Sequence, residues 1–198
     1  MGRFRRARRE TPAERREQRA AASDVEEVLD SAARFLEVRS RSVAEVRRRL
    51  LSAGYPTALV EVAAARLTEQ GYLDDEQFAR AWVESRDRAR PRGERALRLE
   101  LAQKGVSREI IDAVLADRAV PLETGEPSTP DGARRAEEDA AGRLLDRHRR
   151  SLLRGPDPAK RRQKAYALLA RNGFDPDTCR NAALSFEAGL TSDHSDAR

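Results

Sequence analysis

Apolar positions recur at helical spacing along almost the whole chain, and strand signals are nearly absent. The periodicity and its caps predict nine helices at about 24–38, 42–53, 56–70, 75–90, 92–104, 107–119, 133–153, 158–172 and 176–188. Ser23 with Glu26, Ser42 with Glu45 and Asp74 with Gln77 have capping-box spacing. Asp157-Pro158 and Asp175-Pro176 each place an N-cap before a proline at the first helical position. Gly54, Gly71, Gly105 and Gly173 follow apolar segments, as C-terminal stop signals do.

The nine segments fall into three groups of three, because one pattern recurs. Leu50, Leu101 and Leu169 each stand four residues before a glycine, and Tyr55, Val106 and Phe174 follow that glycine directly. Eight residues before the glycines lie Val46, Leu97 and Ala165, and six after them Val60, Ile111 and Cys179, all able to face a core. The periods are 51 and 68 residues, the second lengthened by the proline- and glycine-rich stretch 121–132. The fold class is therefore all-α, with three tandem three-helix repeats in an elongated helical array able to curve. The expected division is a basic arm at 1–22 without fixed structure, repeats at 23–71, 72–120 and 133–189, a flexible loop at 121–132 that serves as hinge, and a disordered tail at 190–198. Thr11-Pro12-Ala13-Glu14 could start a short helix inside the arm.

Charge adds a second layer. The first 19 residues carry eight arginines against three glutamates, which accounts for the whole net charge of +5, so the rest of the chain is formally neutral. Within that rest, 143–164 is strongly basic and 120–139 acidic, and such patches steer partners more than total charge does. Arg39 and Arg41 precede the second segment, and Arg47, Arg48 and Arg49 fan around it. Arg86, Arg88, Arg90, Arg92, Arg95 and Arg98 span the break at Pro91, and Arg88, Arg92 and Arg95 share a face if the chain stays helical there. Arg143, Arg147, Arg150 and Arg154, spaced four, three and four, form a stripe, and Lys160, Arg161, Arg162 and Lys164 follow it. Each cluster is either a solvated surface or a contact for an anionic partner.

Catalytic chemistry finds little to work with. One cysteine and two histidines provide no disulfide framework, no zinc site of the usual kind and no hydrolase triad, and no glycine-rich phosphate loop is present. No metal, cofactor or catalytic residue is expected. The carboxylates Asp74, Asp75 and Glu76 fit a helix start better than a cation site. Tyr55, Tyr72 and Phe174 are expected to plug the glycine turns, and Phe35, Phe78, Trp82, Tyr166 and Phe186 to face cores rather than stack on bases. No apolar run is long enough to span a bilayer and the start lacks a signal sequence, so a cytoplasmic monomer is expected.

Several short motifs, taken in order, resemble the RecX family of recombination regulators. They are Arg39-Ser40-Arg41-Ser42 with Glu45 and Leu50, Gly54-Tyr55, Gly71-Tyr72-Leu73-Asp74-Asp75 with Phe78-Ala79, Ser85-Arg86, Arg90-Pro91-Arg92-Gly93, Leu101 and Lys104-Gly105-Val106. The resemblance covers about 25–120 strongly and 133–188 through the weaker third repeat. It implies a non-enzymatic regulator that binds the RecA recombinase filament on DNA and lowers its ATP hydrolysis, strand exchange and co-protease activity, within recombination, repair and the SOS response. The residues alone leave two other readings open: a module gripping single- or double-stranded DNA without recombinase, and a helical adaptor for some other protein.

Overall fold

The computed structural model describes residues 11–118, 130–155 and 157–195. Among the described residues there are ten helices and no strand. They are α1 (Pro12–Ala20), α2 (Val25–Leu36), α3 (Val43–Ala53), α4 (Thr57–Glu69), α5 (Asp75–Ala89), α6 (Glu94–Lys104), α7 (Arg108–Ala116), α8 (Pro130–Leu152), α9 (Pro158–Arg171) and α10 (Pro176–Ser195). The chain divides into two compact units at Asp75. The first holds α1 and the repeat α2–α4; the second holds the repeats α5–α7 and α8–α10.

Each repeat closes on its own core. Val28, Ala32, Val46, Leu50, Tyr55, Val60, Ala63, Leu67 and Leu73 fill the first. Phe78, Ala79, Val83, Leu97, Leu101, Val106, Ile111, Val114 and Leu115 fill the second. Leu144, Leu145, Leu152, Ala165, Leu169, Phe174, Cys179 and Ala183 lie in the third. The turn between the second and third helices is built the same way three times. Gly54, Gly105 and Gly173 take left-handed φ values of 105°, 83° and 84°. The following amide of Tyr55, Val106 or Phe174 then donates to the carbonyl of Leu50, Leu101 or Leu169 at 3.2–3.3 Å, closing a Schellman motif. A Cβ at those φ values is strained, so the leucine–glycine–apolar signature is the sequence record of one backbone geometry.

Several caps work as the sequence implies. Ser42 is fully buried and exchanges bonds with Glu45, and Asp157 caps α9 through the Ala159 amide at 3.0 Å. Asp175 accepts from the amides of Asp177 at 2.8 Å and Thr178 at 3.0 Å and from the Thr178 hydroxyl. Burial pushes its carboxyl up, but these three bonds outweigh that and hold it below the usual carboxylate range. A depressed carboxylate adds stability above its unfolded pKa and loses it as pH falls through the folded one. Asp175→Ala should therefore cost about 1–2 kcal/mol at pH 7 and lose its penalty in acid. Denaturant titrations at pH 7 and pH 3 check this, and a penalty independent of pH contradicts it.

Other expectations are corrected. Within the expected arm 1–22, residues Pro12–Ala20 are helical, because Thr11 and Glu14 form a reciprocal capping box and Pro12 sits in the first turn. Asp24 rather than Ser23 caps α2, accepting from the Glu26 amide at 3.0 Å. α10 runs on to Ser195, across most of the expected tail, with Leu190 buried beyond Gly189. α8 already starts at Pro130, inside the expected loop; residues 121–129 of that loop, like 119–120 of the second repeat, 1–10 of the arm and 196–198 of the tail, lie outside the described residues. Tyr72 is 69% exposed, since the Gly71 turn sends Leu73 into the core in its place. Tyr166 is also exposed, at 36%.

Candidate recombinase and nucleic-acid interface

The second and third repeats interlock through backbone and charge. The amide of Gly93, the N-cap of α6, donates to the Asn172 carbonyl at 3.0 Å, and the Arg95 amide to the Gly173 carbonyl at 3.2 Å. A Cβ on Gly93 would lie 2.2 Å from the Phe174 nitrogen, so only glycine admits this approach. Gly93 has no side chain to cap α6, and Glu137 of α8 takes over, its carboxylate accepting from the Glu94 amide at 3.0 and 3.1 Å.

Arg118 ties this junction together. Its guanidinium side chain is only 3% exposed; it donates to Glu137 at 2.6 Å, to both oxygens of Asp87 and to the Arg92 carbonyl at 2.9 Å. Burial works against its charge, yet the two carboxylates win and raise its pKa. Burial pushes the Glu137 carboxyl up against the pull of the Glu94 amide and Arg118. Arg118, Asp87 and Glu137 did not stand out in the sequence, because Arg118, just past α7, reaches α5 and α8 at positions 31 and 19 away and the network has no local period.

The arginine and lysine candidates separate into two sets. Arg161 is structural: it donates to both carboxylate oxygens of buried Glu187 and to the Gly155 carbonyl at 3.0 Å. Arg92 donates to Asn172 Oδ1 at 2.5 Å. Arg39 is bidentate to Glu45, and Arg47 pairs with Glu61 at 2.7 Å. Arg88 pairs with Glu84 on its own helix.

The stripe on α8 is split. Arg147 donates to the Ala89 carbonyl and, at 2.7 Å, to the Arg88 carbonyl, capping the end of α5, and Arg143 lies 3.9 Å from Asp87. Arg150 and Arg154, with Lys160 and Lys164 beyond the α8–α9 turn, are exposed, and among the described residues no carboxylate pairs with them. Arg95 is exposed too, and Arg48 is exposed with its Nε donating to the Ala44 carbonyl at 3.2 Å. Arg41 lies over the Phe35 ring.

Among the described residues no group of three or more His, Cys, Asp or Glu could hold a metal ion, and no helix is long and apolar enough to cross a membrane. Cys179 is buried against the Phe174 carbonyl, and its thiol is pushed up by that burial.

Comparison with known proteins fits this architecture. Residues 23–67 match the first three-helix domain of RecX, 74–115 the second and 136–182 the third. The chain belongs to the RecX family. The regulatory protein RecX of Mycolicibacterium smegmatis is 37% identical over 145 residues, covering 72% of this chain and 70% of that protein. That of Chlorobium phaeobacteroides is 33% identical over 162 residues, covering 81% and 93%. The crystal structure of RecX from Lactobacillus salivarius superimposes with a TM-score of 0.66 at 16% identity, over 83% of this chain and 97% of that one. A second RecX crystal structure gives 0.61 at 20% identity, over 84% and 70%. Both share the fold of RecX.

Proposed function

We propose that the protein is a non-catalytic regulator that binds the RecA recombinase filament on DNA and lowers its ATP hydrolysis, strand exchange and co-protease activity, acting in the cytoplasm as a monomer in recombination and repair. The observation that carries this reading is the match of all three repeats, in order, to the three RecX domains. The relatives' shared name, regulatory protein RecX, supports a regulatory role.

Arg150, Arg154, Lys160 and Lys164 are the contacts this reading favours, because their charge is not used inside the fold. Arg143, Arg147 and Arg161 already face partners inside the fold, Asp87, the Arg88 carbonyl and Glu187. Replacing the four free cations with glutamate should raise the concentration for half-inhibition of RecA ATPase about tenfold, since complementary charge sets encounter and register, while helix content stays unchanged. Unaltered inhibition by the folded quadruple variant removes these residues from the interface. Equal inhibition with DNA already coated by the protein, and none otherwise, supports instead a DNA-binding module that needs no recombinase.

A further inference from the structure

Repeats 1 and 2 each set an aromatic ring against two cations beside their first two helices, with the rings at different registers: Phe35 stands nineteen residues before its turn glycine and Trp82 twenty-three. In repeat 2 the Trp82 ring carries the Arg86 guanidinium at 4.3 Å and the Lys104 ammonium at 4.9 Å. Glu100 neutralises the group: it accepts from Trp82 Nε1 at 2.9 Å and Arg86 Nε at 2.6 Å, and lies 3.6 Å from Arg92 Nε. In repeat 1 the Phe35 ring carries Arg41 at 4.1 Å and Arg49 at 5.8 Å. Arg41 and Arg92 stand at the same register, thirteen residues before their turn glycines, and Arg49 and Glu100 both stand five before. The position that supplies the carboxylate in repeat 2 therefore supplies another cation in repeat 1.

Nothing in repeat 1 replaces that carboxylate. Arg41 Nε, like its counterpart Arg92 Nε, is buried without a hydrogen-bond partner, but where Glu100 lies 3.6 Å from Arg92, among the described residues no carboxylate pairs with Arg41 or Arg49. Glu45, the nearest acid, is engaged by both guanidinium nitrogens of Arg39. Burial and the neighbouring Arg39 both weaken the hold of Arg41 on its proton, with Glu45 opposing them.

We propose that Phe35, Arg41 and Arg49 form a binding site for a backbone phosphate of a nucleic-acid strand, which takes the place Glu100 occupies in repeat 2. A guanidinium stacked on an aromatic ring keeps its N–H edge free for bidentate contact with phosphate oxygens. The surroundings favour a polyanion over a single acidic side chain: residues 34–49 carry six arginines against Glu37 and Glu45. Counterion release then adds a gain for every further phosphate engaged. The site deepens the proposed function and rests on it for its biological meaning, but it is read out on bare DNA, so the two fail separately.

The test uses the full chain and a fluorescein-labelled single-stranded 20-mer, with anisotropy followed across salt concentrations. Arg49→Glu, which rebuilds the repeat-2 charge pattern in repeat 1, and Arg41→Gln should each weaken binding about tenfold, as loss of a charge-assisted contact does. Each should also flatten the log–log salt slope by about 0.7 per phosphate lost. Arg108→Glu, a charge-matched reversal on the 88%-exposed Arg108 of α7, should lose less than threefold. Binding by folded Arg49→Glu and Arg41→Gln that matches the wild type, or falls only as far as in Arg108→Glu, overturns the site. Loss of binding to poly-glutamate with oligonucleotide binding intact overturns it as well, by assigning the cluster to an acidic protein.

Discussion

Arg118→Ala should cost the second unit about 3–5 kcal/mol, the usual penalty for removing one partner of a buried ion pair. The cost comes less from the lost attraction than from what stays behind. Asp87, 21% exposed, and Glu137, 9% exposed by side chain, would keep their charges with no cation between them. Glu137 also caps α6 through the Glu94 amide, so disturbing it loosens the start of that helix. Arg118→Lys should recover only part of the loss, because one ammonium cannot reproduce a fork that reaches Asp87, Glu137 and the Arg92 carbonyl together. Urea titrations of the three proteins check the order wild type, Lys, Ala. A midpoint for Arg118→Ala equal to the wild type contradicts the assignment of Arg118 as the tie between repeats 2 and 3.

Gly93→Ala should be the other severe substitution, at about 3 kcal/mol or a fall of roughly 10 °C in melting temperature. The added methyl has nowhere to go: it meets Phe174 N at 2.2 Å and the Gly173 carbonyl carbon and oxygen at 2.3 Å. These are backbone atoms held in the Schellman turn of repeat 3, which cannot yield as a side-chain end can. The three cores do not contain Gly93, so helix content should survive while the cooperative docking of repeats 2 and 3 is lost. The expected signature is a melting curve with two transitions in place of one for this unit. An unchanged single transition would mean that the close approach does not hold these repeats together.

These two positions show what a sequence reveals and what it conceals. The repeat was legible because one backbone geometry demands the same residues each time: leucine, a left-handed glycine, then a buried apolar side chain. Val46, Leu97 and Ala165 stand at equivalent positions and are fully buried, and Val60, Ile111 and Cys179 are buried at the next equivalent set. Long-range polar contacts leave no such trace. Arg118 looks like any other arginine at a helix end, and Gly93 reads as a break after Pro91 rather than as a contact with Asn172, 79 residues later.

The basic stripe illustrates the same limit from the other side. Its four-three-four spacing puts Arg143, Arg147 and Arg150 on α8, but Arg154 lies in the turn beyond the end of that helix at Leu152. Spacing cannot tell that Arg147 turns towards the carbonyls ending α5 while Arg150 stays exposed. Aromatic residues carried a similar ambiguity: Phe35 has the spacing of a core residue and packs against its repeat, yet its ring also supports two arginines.

The central claim is regulation of the recombinase filament, and the most direct measurement is ATP hydrolysis by the cognate RecA on single-stranded DNA, titrated with this protein, beside its binding to the same DNA without RecA. The account predicts inhibition at substoichiometric amounts, well below the concentration needed to coat bare DNA. Undiminished hydrolysis up to equimolar protein would contradict it.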